Sequence, residues 1–90
     1  MFILTVSGKE GDGAYSVTND EGNEILYLFE DEDDAIRYAL MLEDEGYPEM
    51  HVIEVDDGVM IKTCQVHGYN FTVITPNDIV IPPVNQHDFI

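Results

Sequence analysis

Residues 28–48 read LFEDEDDAIRYALMLEDEGYP, a run of five consecutive acids that passes into an apolar-patterned segment and ends at Gly46 and Pro48. Ile36, Ala39, Leu40 and Glu43 follow one line at steps of three and four, and Ala35, Tyr38 and Leu42 follow a line beside it. That is the period of an α-helix with a broad apolar stripe, so this helix is expected to bury one face. Glu30, Asp31, Glu32, Asp33 and Asp34 fall at its start, where unpaired backbone N–H groups carry partial positive charge and offset the repulsion among carboxylates; Asp31 with Asp34 is the expected capping pair. Gly46 can adopt the left-handed conformation that ends a helix, and Pro48 cannot continue one. The spacing predicts a helix over Asp31–Glu45.

Outward from this helix, Phe2–Val6 and Ile25–Phe29 are short runs of strand-favouring residues. Tyr15–Thr18 joins the second of them through the turn-rich Asn19-Asp20-Glu21-Gly22-Asn23, which predicts a hairpin. After the helix, His51–Val55 reads as a strand, Gly58–His67 as a shorter helix closed by Gly68, and Phe71–Ile74 as a strand, with Ile79–Ile81 as a short edge piece. Pro82-Pro83 removes two backbone donors, so pairing should stop there. The expected order is βββαβαβ. It predicts an α+β fold, a two-layer sandwich with a mixed sheet of four or five strands and two helices on one face. Residues 1–81 form the single domain and residues 82–90 a flexible tail. Ile25, Tyr27 and Phe29 alternate with Leu26 and Leu28, so this strand is apolar on both faces, and a sheet covered on one side would expose the other. The tail, a second copy or another protein would then have to cover it, and Tyr27 and Phe29 would suit an interface.

The run from Glu24 to Pro48, Cys64, Gly68-Tyr69 and the closing Val80-Ile81-Pro82-Pro83 resemble a family of short cyanobacterial and plastid proteins known as domain of unknown function 3110. The most specific part is FEDEDDAIRYALMLE. The N-terminal third, with Ser7–Asp12 as a loop, departs from the pattern and is more acidic, which fits either a host protein or a diverged copy carried by a virus. The resemblance implies a photosynthetic setting; it implies no activity and carries over no catalytic residue.

Ninety residues make one domain, and nineteen acids against Lys9, Arg37 and Lys62 give a formal charge of −16. A field this negative repels nucleic-acid phosphates and anionic membranes, so direct nucleic-acid binding is not expected; a protein with a basic surface is the natural electrostatic partner. No apolar run is long enough for a membrane span, and Met1–Val6 lacks the pattern of a secretory signal, so the chain is expected to be complete and cytoplasmic. Self-repulsion gives a direct expectation. The melting temperature should rise as salt shortens the Debye length from about 30 Å to about 8 Å, and a melting temperature that falls instead would remove self-repulsion as a significant term.

No catalytic constellation can be assembled. There is no HExxH, GxSxG or phosphate-cradling glycine loop, so the chain is read as a non-enzyme without a cofactor. Asp31 and Asp33 have the spacing of the first ligands of a calcium loop, but Ala35 stands at the next ligand position and no glycine follows at the turn. Asn19, Asp20, Glu21 and Asn23 are ordinary turn residues that could also surround a cation. Cys64 and His67 lie three apart on the second helix, as a pair of metal ligands or as a buried hydrophobe and a helix-end charge; two ligands do not make a site. Arg37 follows Asp33 by four residues and Asp34 by three, which predicts intrahelical ion pairs or, alternatively, one specific contact in an acidic docking surface.

These readings favour a small acidic protein-interaction module, a regulator or assembly factor, using Tyr27, Phe29, Glu30, Asp31, Glu32, Asp33, Asp34 and Arg37, with a homodimer among the arrangements allowed. The alternatives are a small-ligand or divalent-metal-binding domain, and an acidic mimic of nucleic acid that occupies a basic protein site.

Overall fold

A computed structural model describes residues 1–9 and 13–78 in full and residues 87–89 through their backbone. The order is β1 (Phe2–Val6), β2 (Tyr15–Thr18), β3 (Glu24–Phe29), α1 (Glu32–Asp44), β4 (Met50–Glu54), α2 (Asp57–His67), β5 (Asn70–Ile74) and β6 (His87–Phe89). The α+β class and the order βββαβαβ are therefore as the sequence predicts, with β6 added after them. The expected piece at Ile79–Ile81 lies outside the described residues, as do residues 82–86 and Ile90 of the expected tail; within that tail, His87–Phe89 pairs antiparallel with β2.

One sheet contains all the strands. β1 lies antiparallel between β3 and β4, β2 is antiparallel to β3, and β5 is parallel to β3, so the sheet is mixed. β5 occupies one side of β3 from Ile25 to Phe29. The other side is shared, with β2 along Glu24–Leu26 and β1 only at Phe29, opposite Phe2.

The helices do not share a face, which corrects the two-layer expectation. Leu4, Phe29 and Ile74 form one cluster with Ala35, Tyr38, Ala39 and Leu42 of α1, whereas Ile3, Leu26 and Leu28 form another with Cys64 of α2. Successive strand residues point to opposite faces, so α1 and α2 lie on opposite sides of the sheet. The reason is the direction of travel. The connection from β3 through α1 to β4 steps across β1 one way, and that from β4 through α2 to β5 steps back across β1 and β3. Right-handed crossovers that reverse direction exchange faces. The second apolar face of β3 is thus covered by the chain's own α2.

Local chemistry sets the ends of both helices. Asp31 caps α1 by accepting from the Asp33 N–H at 2.9 Å, and Asp56 caps α2 by accepting from the Val59 N–H at 2.9 Å. At the far end of α1 the Tyr47 N–H donates to Leu42 O at 3.1 Å and the Gly46 N–H to Glu43 O at 3.0 Å, with Gly46 at φ +91°. Tyr69 to Cys64 O at 2.8 Å and Gly68 to Gln65 O at 3.4 Å, with Gly68 at φ +71°, repeat the motif on α2. This paired closure satisfies carbonyls that a helix end leaves open and requires the left-handed backbone that glycine adopts without strain.

Candidate functional site

The two faces of α1 differ sharply. Ala35, Tyr38, Ala39 and Leu42 are buried against the sheet, and Tyr38 is the centre of an aromatic group. Its ring meets Tyr15 and Phe29 at 5.5 Å and Tyr27 at 5.7 Å between centroids, and its hydroxyl lies 3.0 Å from that of Tyr15. Tilted and edge-to-face rings at such distances are favourable beyond the area they bury. Burial raises the ionisation of Tyr15, Tyr27 and Tyr38 above the ordinary tyrosine range.

Tyr27 and Phe29 therefore do not form an open sheet face. Phe29 is fully buried and Tyr27 half-buried beneath α1. The expectation that they anchor a partner is corrected: the alternation of β3 is satisfied internally, by one helix on each side.

The outward face of α1 has a different composition from the one its periodicity predicts. Ile36 and Leu40, read in the sequence as part of the buried stripe, are 40% and 55% exposed. At 100° per residue they occupy the middle of the exposed arc, with Glu32 and Glu43 to one side and Asp33 and Asp44 to the other, and all of these side chains are exposed. The buried stripe is narrower than the apolar one because the sheet contacts only the Ala35–Tyr38–Leu42 side. What remains is an apolar ridge, one turn long, between two rows of carboxylates. The surplus of apolar over buried positions was the available signal: seven apolar residues on α1, from Ala35 to Leu42, exceed what one sheet face can cover.

The remaining candidate residues divide by role. Glu30 is exposed beside the start of α1 and donates its backbone N–H to Ile74 O at 2.9 Å, joining β3 to β5. Asp31 is the helix cap. Asp34 is not its reciprocal partner; its carboxylate accepts from Arg37 Nη1 at 3.1 Å, in an exposed i,i+3 ion pair worth a few tenths of a kcal/mol. Arg37 lies at the rim of the acidic arc, so of its two expected partners it takes Asp34. Eight of the nineteen acids fall between Glu30 and Glu45, with Arg37 as the only base among them, which concentrates negative potential around the Ile36–Leu40 ridge.

The other constellations resolve into structural chemistry. Asn19 Oδ1 accepts from the Glu21 and Asn23 N–H groups at 3.0 and 2.9 Å, which shapes the β2–β3 turn. Cys64 is fully buried with its thiol pushed up by burial, while His67 is exposed and stacks on Tyr69 at 5.5 Å, so the two do not meet as ligands. Among the described residues no three or more His, Cys, Asp or Glu side chains are grouped to hold a metal ion. A shallow cleft of about 580 Å³ is lined by Met1, Glu54, Val55, Asp56, Asp57 and Gly58. Its carboxylates disfavour anionic metabolites, and the Met1 amine already bonds Asp57 at 2.6 Å. No described helix is long and apolar enough to cross a membrane.

The family described as "Domain of unknown function (DUF3110)" matches residues 1–84 of the chain. No curated protein and no solved structure matches it.

Proposed function

Since the chain belongs to the DUF3110 family, a family defined without an activity, we propose from its surface that it is a non-enzymatic protein-interaction module. It works as a small regulator or assembly factor in the cytoplasm of a cyanobacterial or related photosynthetic cell. The observation that carries this reading is the exposed Ile36–Leu40 ridge set between Glu32, Glu43, Asp33 and Asp44 on the outside of α1. A charged helix face by itself serves solubility. An apolar ridge inside it has a cost in water that a matching surface removes, while the flanking carboxylates select that surface by sign and raise the rate of encounter. The partner that fits is a protein with a shallow apolar groove edged by Lys and Arg. A helix presented by a folded domain is already ordered, so binding does not have to fix its backbone.

The test is affinity capture from a cyanobacterial lysate at low and moderate salt, with the Ile36→Ser, Leu40→Ser double variant alongside. The expected result is one stoichiometric partner held by the native protein, weakened by salt and lost in the folded variant. Equal capture by the variant, or no partner at either salt, overturns the assignment. Release of the partner by added DNA would identify the groove as a nucleic-acid site that the acidic helix imitates. Arg37→Glu should leave capture unchanged, because Arg37 is engaged with Asp34 at the rim.

A further inference from the structure

The longest stretch of the chain without an acid lies in its second half. From Gly58 to Asn77 there is no Asp or Glu, and Lys62 gives that stretch a formal charge of +1, leaving −17 on the other seventy residues. The stretch comprises nearly all of α2 and the whole of β5, two elements that pack against each other through Met60, Cys64, Phe71 and Val73. Three of its side chains are large, apolar and open to solvent: Val59 at 65%, Val66 at 72% and Tyr69 at 42%. Val59 and Val66 stand seven residues apart on α2, on the side opposite buried Cys64 and so away from the sheet, whereas Tyr69 directly precedes β5. β5 itself is a sheet edge. Among the described residues it pairs only with β3, so its second row of backbone donors and acceptors has no ladder partner there. An uncharged edge strand lacks the charges with which proteins ordinarily block edge pairing.

Charge decides what fits this surface. A basic protein is drawn to the acidic remainder of the molecule, and an acidic one finds a single lysine. A second copy supplies an equally acid-free stretch and an identical edge, and this approach between two chains of −16 sets the longest acid-free stretch of each against the other. We propose that the β5 edge is a self-association interface at which two copies pair antiparallel about a two-fold axis. Such an axis is perpendicular to the sheet, so the sheet continues from one copy to the other, both α2 helices lie on the same side, and Thr72, at the middle of β5, stands opposite its counterpart. α1 lies on the opposite face, so the dimer presents two copies of the acidic ridge, and the two surfaces act independently.

Sedimentation of the full chain over a concentration series, at about 0.01 M and about 0.15 M salt, tests this. The expected result is a monomer–dimer equilibrium that tightens with salt by roughly tenfold, because shortening the Debye length from about 30 Å to about 8 Å screens the repulsion between the two acidic bodies. Thr72→Glu, which sets two carboxylates at the axis, should give a folded monomer at all concentrations, and Ile36→Ser with Leu40→Ser should dimerise as the native chain does. A native protein that stays monomeric into the sub-millimolar range overturns the proposal. So does a dimer that persists in the Thr72→Glu variant, or one that weakens with salt, which would indicate contact between the Lys62 side of one copy and the acids of another. Loss of partner capture with an intact dimer would defeat the α1 reading alone.

Discussion

Leu42→Ala should cost about 2–5 kcal/mol of folding stability, whereas Leu40→Ala, two positions away on the same helix, should stay within about 0.5 kcal/mol of the native protein. Leu42 is fully buried in the cluster formed with Leu4, Phe29 and Tyr38, so its truncation leaves a cavity between helix and sheet in addition to losing apolar transfer energy. Leu40 is 55% exposed and alanine is the better helix former, so little is lost there. For a domain of this size the Leu42 variant should melt at least about 10 °C below the native protein. Urea unfolding of both variants provides the check. Equal losses would mean that Leu40 is covered and that the exposed ridge on α1 does not exist. In partner capture the order should reverse, with Leu40→Ala weakened and any folded fraction of Leu42→Ala retained.

Alkaline unfolding is the second large effect. Tyr15 and Tyr38 are buried with their hydroxyls 3.0 Å apart, and burial, the leading cause for both, holds their ionisation well above the ordinary range. Unfolded tyrosine ionises near about pH 10. Below that pH both states keep the protons and the contribution of the pair is fully present. Above it the unfolded chain releases protons that the native state retains, so stability falls as pH rises toward the native values, by up to about 2.7 kcal/mol per pH unit for the two groups. A domain stable by about 5 kcal/mol then unfolds roughly two units above the onset. Circular dichroism and tyrosinate absorbance, followed together, should show the buried rings ionising in the same transition in which the secondary structure is lost. Gradual ionisation of all five tyrosines near pH 10, with the helix signal intact, would mean that Tyr15 and Tyr38 are reached by solvent in the folded protein. Tyr38→Phe should remove about half of the steepness, because one of the two proton losses is gone.

The elements were legible because their signals are local. Asp31, Gly46 and Gly68 fix helix ends through bonds to groups within a few residues, and the alternation of β3 follows from backbone geometry alone. The position of α2 was not legible in the same way. Its face depends on whether the chain steps onward or back across the sheet after β4, and that is settled by β4 pairing outside β1 and β5 outside β3. Reading both helices onto one side left Tyr27 and Phe29 apparently uncovered and made them docking residues. The helical period separately placed Ile36 and Leu40 inside, so core and surface were exchanged on the α1 side of the protein.

The acidic α+β character of this protein, the order of its elements and the ends of its helices were determined by the sequence, through charge, period and capping interactions that act over one or two turns. Which apolar residues are core and which are surface was decided only in the tertiary structure. The helical period marks more apolar positions on α1 than one face of a sheet can contact, and only the placement of the strands selects Ala35, Tyr38, Ala39 and Leu42 for burial while leaving Ile36 and Leu40 in water.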